Sequence, residues 1–571
     1  MGESRVRSTV GERQQRLVAE HPQWIARTLD QLLDHAAGLY PDRPYLIADG
    51  RAHSYREIAR QSRLLAAGLA KAGVGPGTNV AMVMANGPEF VALKYAIARL
   101  GATCVPVNFL NRRDELGYVL KQSDSVLLVT MDRFRGLDYL AMLDDLAPGW
   151  ERDGGGEAFP HLRGVVVLPM SGEGGRAGAT PFSSLLEEGA PFSPTHEPDP
   201  ASVSDIIYTS GTTGAPKGVM LTHDMLLRAA FGSCFCRAFD DGWRVAFSLP
   251  MYHVYGYVEG MLAVPFVGGM MVVQAVFDAA ATLDAIDRHH VDDLLLVPTM
   301  TQLVLDEQRE RPRPLGSLRA VISSGQRSPA GMFDTIFELL HPDEVTTGYG
   351  MTEATATMFA TRPDDPRERL TSTNGRMREV GPAGDVALGG RLALYRVVDP
   401  ETSAELPAGS AGELRAKGPC VTRGYYNKPE ATAEAFDGEG WLRTGDLGRI
   451  DEDGYLTLVG RLKESYRCGG EQVMPTEIED VLTTHPAVLQ AHVVPVPDRR
   501  MGEAGAAFIV FRPGSSASAE DLLALCNERL ARFKVPKYVL PIAAADLPTT
   551  PSGRARKFLL SQRAVEALGL E

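Results

Sequence analysis

Lysine is scarce in this sequence. Ten of the 58 basic residues are lysine and 48 are arginine. A lysine kept inside a motif is therefore informative, and an arginine in a lysine position has a compositional explanation at hand. Cysteine is sparse too: Cys104, Cys234, Cys236, Cys420, Cys468 and Cys526 are scattered, with one C-x-C pair and no ligand-spaced set. This argues against a disulfide framework or a zinc centre. Long apolar runs are missing. The most hydrophobic stretch, 260–277, is broken by Pro265, Gly268 and Gly269 and reads as buried core with a turn, since a membrane span needs ~20 apolar residues in succession. Met1 to Gln15 is polar and mixed in charge, without the pattern of a secretory signal, so cytoplasm is the expected compartment. Positive charge is in deficit, at net −14, and no basic stripe offsets it, so nucleic acid is not an expected partner.

A content of 44% hydrophobic and 23% charged residues excludes general disorder, and 571 residues exceed one typical domain. Ile58, Leu65 and Leu69 share a helical face that Gly73 and Gly75-Pro76-Gly77 end. Val80 to Met84 then reads as a buried strand, Glu89 to Leu100 as a helix and Thr103 to Val107 as a second strand, which predicts a parallel, helix-covered sheet. The pattern returns at Arg319 to Ile322, before a helix ending near Leu340. Residues 171–199, rich in Gly, Ser, Pro and Glu, read as a surface connection. After Gly460 the texture changes: a helix at Glu477 to Leu482, a strand at Gln490 to Val496 and a helix at Ala519 to Leu530 suit a small α+β domain.

The strongest local signal is the run Tyr208-Thr-Ser-Gly-Thr-Thr-Gly-Ala-Pro-Lys217-Gly218, directly after the apolar pair Ile206-Ile207. Three glycines let backbone N–H groups approach a phosphate, four hydroxyls donate to its oxygens and Lys217 supplies charge. A Walker A loop is excluded, because Gly218 and not Ser or Thr follows the lysine. Further runs follow in order: Pro250-Met-Tyr-His253, Gly348-Tyr-Gly-Met-Thr-Glu353, Gly440-Trp-Leu-Arg-Thr-Gly-Asp446, Gly460-Arg-Leu-Lys-Glu464 and Pro551-Ser-Gly-Arg554.

This ordered set, from about Leu29 to Leu560, resembles the adenylate-forming (ANL) superfamily of acyl-CoA synthetases, peptide-synthetase adenylation domains and beetle luciferases. The resemblance implies an α/β fold, with a large N-terminal domain of helix-covered, mostly parallel sheets (1–460) and a small mobile C-terminal α+β domain (461–571) that turns about Lys463. It also implies roles. Thr209, Ser210, Gly211, Thr212, Thr213, Gly214 and Lys217 would cradle phosphate, with Gly325 at the nucleotide wall and Tyr349 stacking on adenine. Asp446 would hold the ribose hydroxyls, Arg461 the ribose or phosphate, Thr352 the α-phosphate and Glu353 a magnesium ion. His253 would stand between nucleotide and acyl group, with Tyr252, Val254, Tyr255 and Tyr257 as an apolar wall. Gly469, Gly470 and Arg467 would border the CoA arm, although Gly469-Gly470 also reads as an ordinary hairpin turn. Amino-acid-activating relatives carry an aspartate near His253. Here Glu259 is the only acid from Pro250 to Gly260, which points to a hydrophobic or aromatic carboxylic acid.

Two departures bear on chemistry. Ser324-Gly325-Gln326-Arg327 replaces the small Gly-Gly-Ala-Pro of relatives, and Arg554 stands where the family has the lysine that bridges carboxylate and α-phosphate. A planar guanidinium is wider than an ammonium and prefers a forked partner. The expected activity is thus thioester formation from CoA and an acyl-adenylate, with ATP-dependent adenylation weak or lost and another enzyme supplying the adenylate. The alternatives are a complete ATP-dependent fatty or aromatic acid–CoA ligase and, from another class, a non-catalytic nucleotide-binding protein. A homodimer is compatible with the resemblance.

Overall fold

The computed structural model describes residues 8–170, 176–187, 197–209, 215–325, 328, 331–469, 471–549 and 555–570. Two seven-stranded sheets form its bulk. One runs Glu344–Thr346, Ala320–Ser323, Asp293–Leu296, Arg244–Phe247, Met270–Val273, Pro44–Ala48, Arg51–Ser54, parallel except for the last hairpin. The other runs Lys217–Thr222, Val203–Thr209, Thr103–Pro106, Asn79–Val83, Ser125–Met131, Gly164–Leu168, Thr180–Pro181, parallel except at its first pair.

The continuous apolar runs of the sequence are explained by burial on both faces. Val80 and Met82 point into a core shared with the helices Tyr55–Lys71, Pro88–Arg99 and His223–Cys236. Ala81 and Val83 point into another, closed by Arg113–Gln122 and Tyr139–Leu146. The first of these helices starts where the sequence allows a reciprocal cap, with Ser54 accepting from the Glu57 N–H and the Glu57 carboxylate from the Ser54 N–H. Its buried face includes Ile58, Leu65 and Leu69, as the periodicity requires. The 171–199 section differs from the sequence reading: its described part holds the strand Thr180–Pro181 and a 3-10 turn, Phe182–Leu186, whose Phe182 and Leu185 are buried. Two apolar anchors suffice to fold a polar connection onto the core.

A four-stranded antiparallel sheet follows, from Leu394–Val398 to Leu456–Arg461. The last sheet is built from Tyr466–Cys468, Glu471–Val473, Gly502–Phe511, Val488–Asp498 and Tyr538–Pro541. Val493 faces the helices Pro475–Thr483 and Ala519–Arg529, while Val494 faces Lys557–Leu568. All six cysteines are buried, and no helix among the described residues is long and apolar enough to cross a membrane.

One polar contact lies deep in this apolar frame. The Lys94 ammonium, on the helix Pro88–Arg99, pairs with the Asp205 carboxylate on Val203–Thr209, and both side chains are essentially inaccessible. Ser204 Oγ and Tyr257 Oη donate to the same Asp205 oxygen at 2.8 and 3.4 Å, and the Tyr257 ring lies under the ammonium at 4.7 Å. A buried charge that loses its partner costs several kcal/mol. Lys94→Met is expected to destabilise the chain by about 3–5 kcal/mol in denaturant unfolding, and Lys94→Met with Asp205→Val to recover most of that loss. A single variant within about 1 kcal/mol of the wild type would remove the pair from the list of structural anchors.

Candidate active site

The phosphate-loop motif sits between antiparallel strands. Val203–Thr209 pairs with Lys217–Thr222, and Thr209 stands opposite Lys217, so the motif joins two antiparallel strands. Ser210, Gly211, Thr212, Thr213 and Gly214 lie outside the described residues. Thr209 and Lys217, the two ends of the loop, are half-buried.

Facing them is the turn 352–355. Gly348–Met351 pairs with Ala356–Ala360, and the 3-10 turn Thr352–Ala354 joins them. The turn is tight. Gly350 is obligatory, because a Cβ there would run into the Ala356 carbonyl oxygen. Thr355 and Ala356 hold φ of +57° and +73°, values that side chains disfavour and that surrounding structure must impose. Thr355 Oγ1 donates to the Cys420 carbonyl at 2.8 Å, and the Glu353 carbonyl accepts from the Thr422 N–H at 2.7 Å. The Glu353 carboxylate receives the Tyr425 hydroxyl at 3.1 Å, and burial raises its pKa.

Asp446 gathers a second group. It lies on Leu442–Ile450, opposite Arg461 of Leu456–Arg461, and is 4% exposed. Its two oxygens accept from Tyr349 Oη at 2.7 Å and from Arg461 Nε at 2.8 Å. Burial, then the Asp446 charge, pushes the Tyr349 phenol well above its ordinary range, so it stays a donor. Tyr349, Asp446 and Arg461, picked from three motifs, therefore meet at one carboxylate. Ser324 Oγ ties the neighbouring strand end to the Gly348 carbonyl at 2.7 Å. Gly325 has φ +89°, with Val297 and Tyr255 nearest to where a side chain would start. Gln326 and Arg327 lie outside the described residues.

His253 is half-buried, its ring tilted against Tyr252 at 4.7 Å, and its Nε2 has no hydrogen-bond partner among the described residues. Burial lowers its pKa to about 4. The expected aromatic wall divides. Tyr252 packs edge-on against Phe109 at 5.1 Å and Tyr257 belongs to the Lys94–Asp205 cluster, both inside the core, whereas Tyr255 borders Gly325. Glu259 is fully buried and forked by the Arg378 guanidinium at 2.9 and 3.0 Å.

In the C-terminal part, Lys463 is exposed on the 3-10 turn Leu462–Glu464. Gly469, with φ +62°, sits between the strands Tyr466–Cys468 and Glu471–Val473, the position of a hairpin turn. Gly470 and Arg554 lie outside the described residues. Arg467 is exposed and pairs with Glu401 at 2.9 Å. Lys557, three residues beyond Arg554, is paired with Glu479 at 2.7 Å and Glu464 at 3.3 Å. Burial opposes its charge, but the two carboxylates hold its pKa above the ordinary lysine value.

Sequence reasoning missed Tyr425 and Thr422. The signal was the run Thr422-Arg-Gly-Tyr-Tyr426, which reads as ordinary core until Glu353, 72 residues from Tyr425, and Met220, 202 residues from Thr422, are placed beside it.

Residues 33–426 match the model of the AMP-binding enzyme family, and residues 477–554 that of the AMP-binding enzyme C-terminal domain. The chain is 32% identical over 537 residues to a methyl-dioxo-octahydro-indenyl-propanoyl:CoA ligase of Mycobacterium tuberculosis, covering 93% of this chain and 98% of that one. It is 30% identical over 568 residues to the mitochondrial medium-chain acyl-CoA ligase ACSF2 of Danio rerio, covering 97% and 91%. The solved structure of o-succinylbenzoate CoA synthetase from Bacillus subtilis, in complex with its acyl-adenylate intermediate, superposes with a TM-score of 0.76 at 26% identity, covering 93% and 97%. Fold and relatives thus define an adenylate-forming enzyme. The chain belongs to the AMP-binding enzyme family, on its acyl-CoA synthetase branch.

A depressed histidine pKa carries a pH signature. The unfolded chain takes up a proton near pH 6.5 while the folded His253 stays neutral down to about pH 4. Stability from this group is complete above pH 6.5 and is lost as pH falls through that window. The wild type is expected to lose on the order of 1 kcal/mol more than His253→Gln between pH 7 and pH 5, read from paired urea transitions. Equal losses would show that His253 accepts a proton in the folded state.

Proposed function

We propose that this enzyme forms acyl-CoA thioesters of hydrophobic carboxylic acids, working best from a preformed acyl-adenylate, because Arg554 weakens the ATP-dependent first step. The observation that carries the ligase reading is the convergence of Tyr349 and Arg461 on buried Asp446, beside the Glu353 turn. Asp446 can exchange these donors for two ribose hydroxyls, Tyr349 offers its ring to the base, and Thr209 and Lys217 flank the phosphate loop. Relatives named for CoA ligation of a polycyclic propanoate and of medium-chain acids, and one seen with an acyl-adenylate, support the same chemistry.

The residues fit a magnesium ion. Glu353 is a half-buried carboxylate that, among the described residues, has a phenol and no ion-pair partner against it. Bound there with a triphosphate, magnesium would offset phosphate charge. Arg461 and Lys217 place further positive charge around the nucleotide, while neutral His253 has an unused nitrogen to direct toward an acyl oxygen. In the second step the CoA thiolate attacks the mixed-anhydride carbonyl and AMP departs as the leaving group. An apolar acid suits this segment: Glu259, the one acid from Pro250 to Gly260, is paired with Arg378 and offers no carboxylate to a substrate ammonium.

Weak adenylation rests on Arg554 and gains support from Lys557, the nearest lysine. Held by Glu464 and Glu479, it would have to break two ion pairs to act for the missing ammonium. A displacement of ~1 Å in a reacting group can cost on the order of 10²-fold in rate. Supplied with CoA and a panel of aliphatic, aromatic and polycyclic acyl-adenylates, the wild type is expected to make thioester detectable by mass spectrometry. Pyrophosphate release from acid and ATP is expected to be slow and to rise at least ~10-fold in Arg554→Lys. Fast wild-type release unimproved by lysine would restore the complete-ligase reading, and absence of thioester from every adenylate would end the ligase one.

The exposed turn at Lys463 is the proposed hinge. Proline there fixes φ near −65° and removes an N–H. Lys463→Pro is expected to suppress thioester formation at least ~10-fold with AMP affinity nearly unchanged. Unaltered thioester kinetics in this variant would move the hinge elsewhere.

A further inference from the structure

Two groups assigned to opposite charges of the same ligand, Lys217 and Glu353, flank one tyrosine. The Tyr425 hydroxyl donates to Glu353 Oε1 at 3.1 Å, and the Lys217 ammonium lies over the Tyr425 ring, 4.7 Å from its centroid. Between the lysine and the glutamate themselves no ion pair forms among the described residues. Tyr425 is 9% exposed and held from both sides: its N–H donates to Thr432 Oγ1 at 3.0 Å, and its backbone bridges to Val219, two residues from Lys217. The neighbouring Thr422 Oγ1 donates to Met220, and the Tyr426 N–H donates to the Gly218 carbonyl at 2.8 Å. The ring therefore cannot drift without disturbing the strand that carries Lys217.

An ammonium and a carboxylate left face to face in a sheltered site would pair and neutralise each other. A rigid phenol prevents this while satisfying each group differently. Its electron-rich face attracts the cation, and its hydroxyl donates to one carboxylate oxygen, leaving the other free. We propose that Tyr425 is a positioning residue for the metal–triphosphate complex: it spaces Lys217 from Glu353 so that phosphate and divalent cation enter between them. This rests on the assignment of Lys217 and Glu353 to the nucleotide and its magnesium.

The test is equilibrium binding, read calorimetrically with no acid or CoA present, so that slow adenylation does not enter. ATP is titrated in excess magnesium and in EDTA, and AMP serves as the probe of the Asp446 side. Wild type is expected to bind ATP more tightly in magnesium than in EDTA. Tyr425→Phe keeps the ring and loses the hydroxyl, so that magnesium advantage should shrink about tenfold, the size of one hydrogen bond to a charged group, with ATP affinity in EDTA and AMP affinity within twofold of wild type. Tyr425→Leu removes the spacer as well and should also weaken ATP in EDTA, as Lys217 turns to Glu353. An undiminished magnesium advantage in Tyr425→Phe would overturn the proposal, as would a wild type indifferent to magnesium or an equal loss of AMP binding. A wild type that binds as expected yet makes no thioester would overturn the ligase reading alone.

Discussion

The strand that leads into the motif between Thr209 and Lys217 is fastened by a charge pair buried in hydrocarbon. Lys94 and Asp205 tie Val203–Thr209 to the helix Pro88–Arg99, and Tyr257 closes the pair from the segment that also carries His253. The paired strands Val203–Thr209 and Lys217–Thr222, the helix layer and the histidine segment are thus registered against one another at a single point. Sheet pairing alone fixes spacing between strands. The added charge pair selects one rotation of helix against sheet, since any other would leave an ammonium or a carboxylate dry and alone.

On this base the site distributes its charges so that opposite groups do not cancel. Asp446 is shared by a phenol and a guanidinium. Glu353 and Lys217 are held on two sides of Tyr425. Where acid and base do pair tightly, as in Glu259–Arg378, the result is a neutral wall.

How far this could be read from sequence depended on the range of the signal. Helices and strands with period 3.6 or continuous apolar runs, such as those of 55–107, were legible because both faces of the sheet are buried and the pattern is local. Tyr349, Glu353 and Asp446 drew notice because they sit in short runs of distinctive chemistry, and the fold brings Tyr349 and Asp446 into contact. Phe182 and Leu185 were hidden in a polar segment, since two side chains give no period. Tyr257 was expected at a pocket wall, but its partner Lys94 lies far away in sequence and draws it into the core. The hairpin setting of the phosphate motif depends on the Thr209–Lys217 pairing, and an apolar strand announces no direction for its neighbour. Tyr425 was missed for the same reason: its contacts, to Glu353 and Lys217, are distant in sequence.

The Glu464–Lys557–Glu479 cluster has a mechanical meaning. Glu464 leaves the turn at Lys463, Glu479 belongs to the helix Pro475–Thr483, and Lys557 opens the last helix of the chain. The bolt joins the beginning of the C-terminal part to the helix Lys557–Leu568, making one braced unit of what would otherwise be a string of elements. Fraying of that helix would have to break two ion pairs, so the far helix is braced against the turn at Lys463.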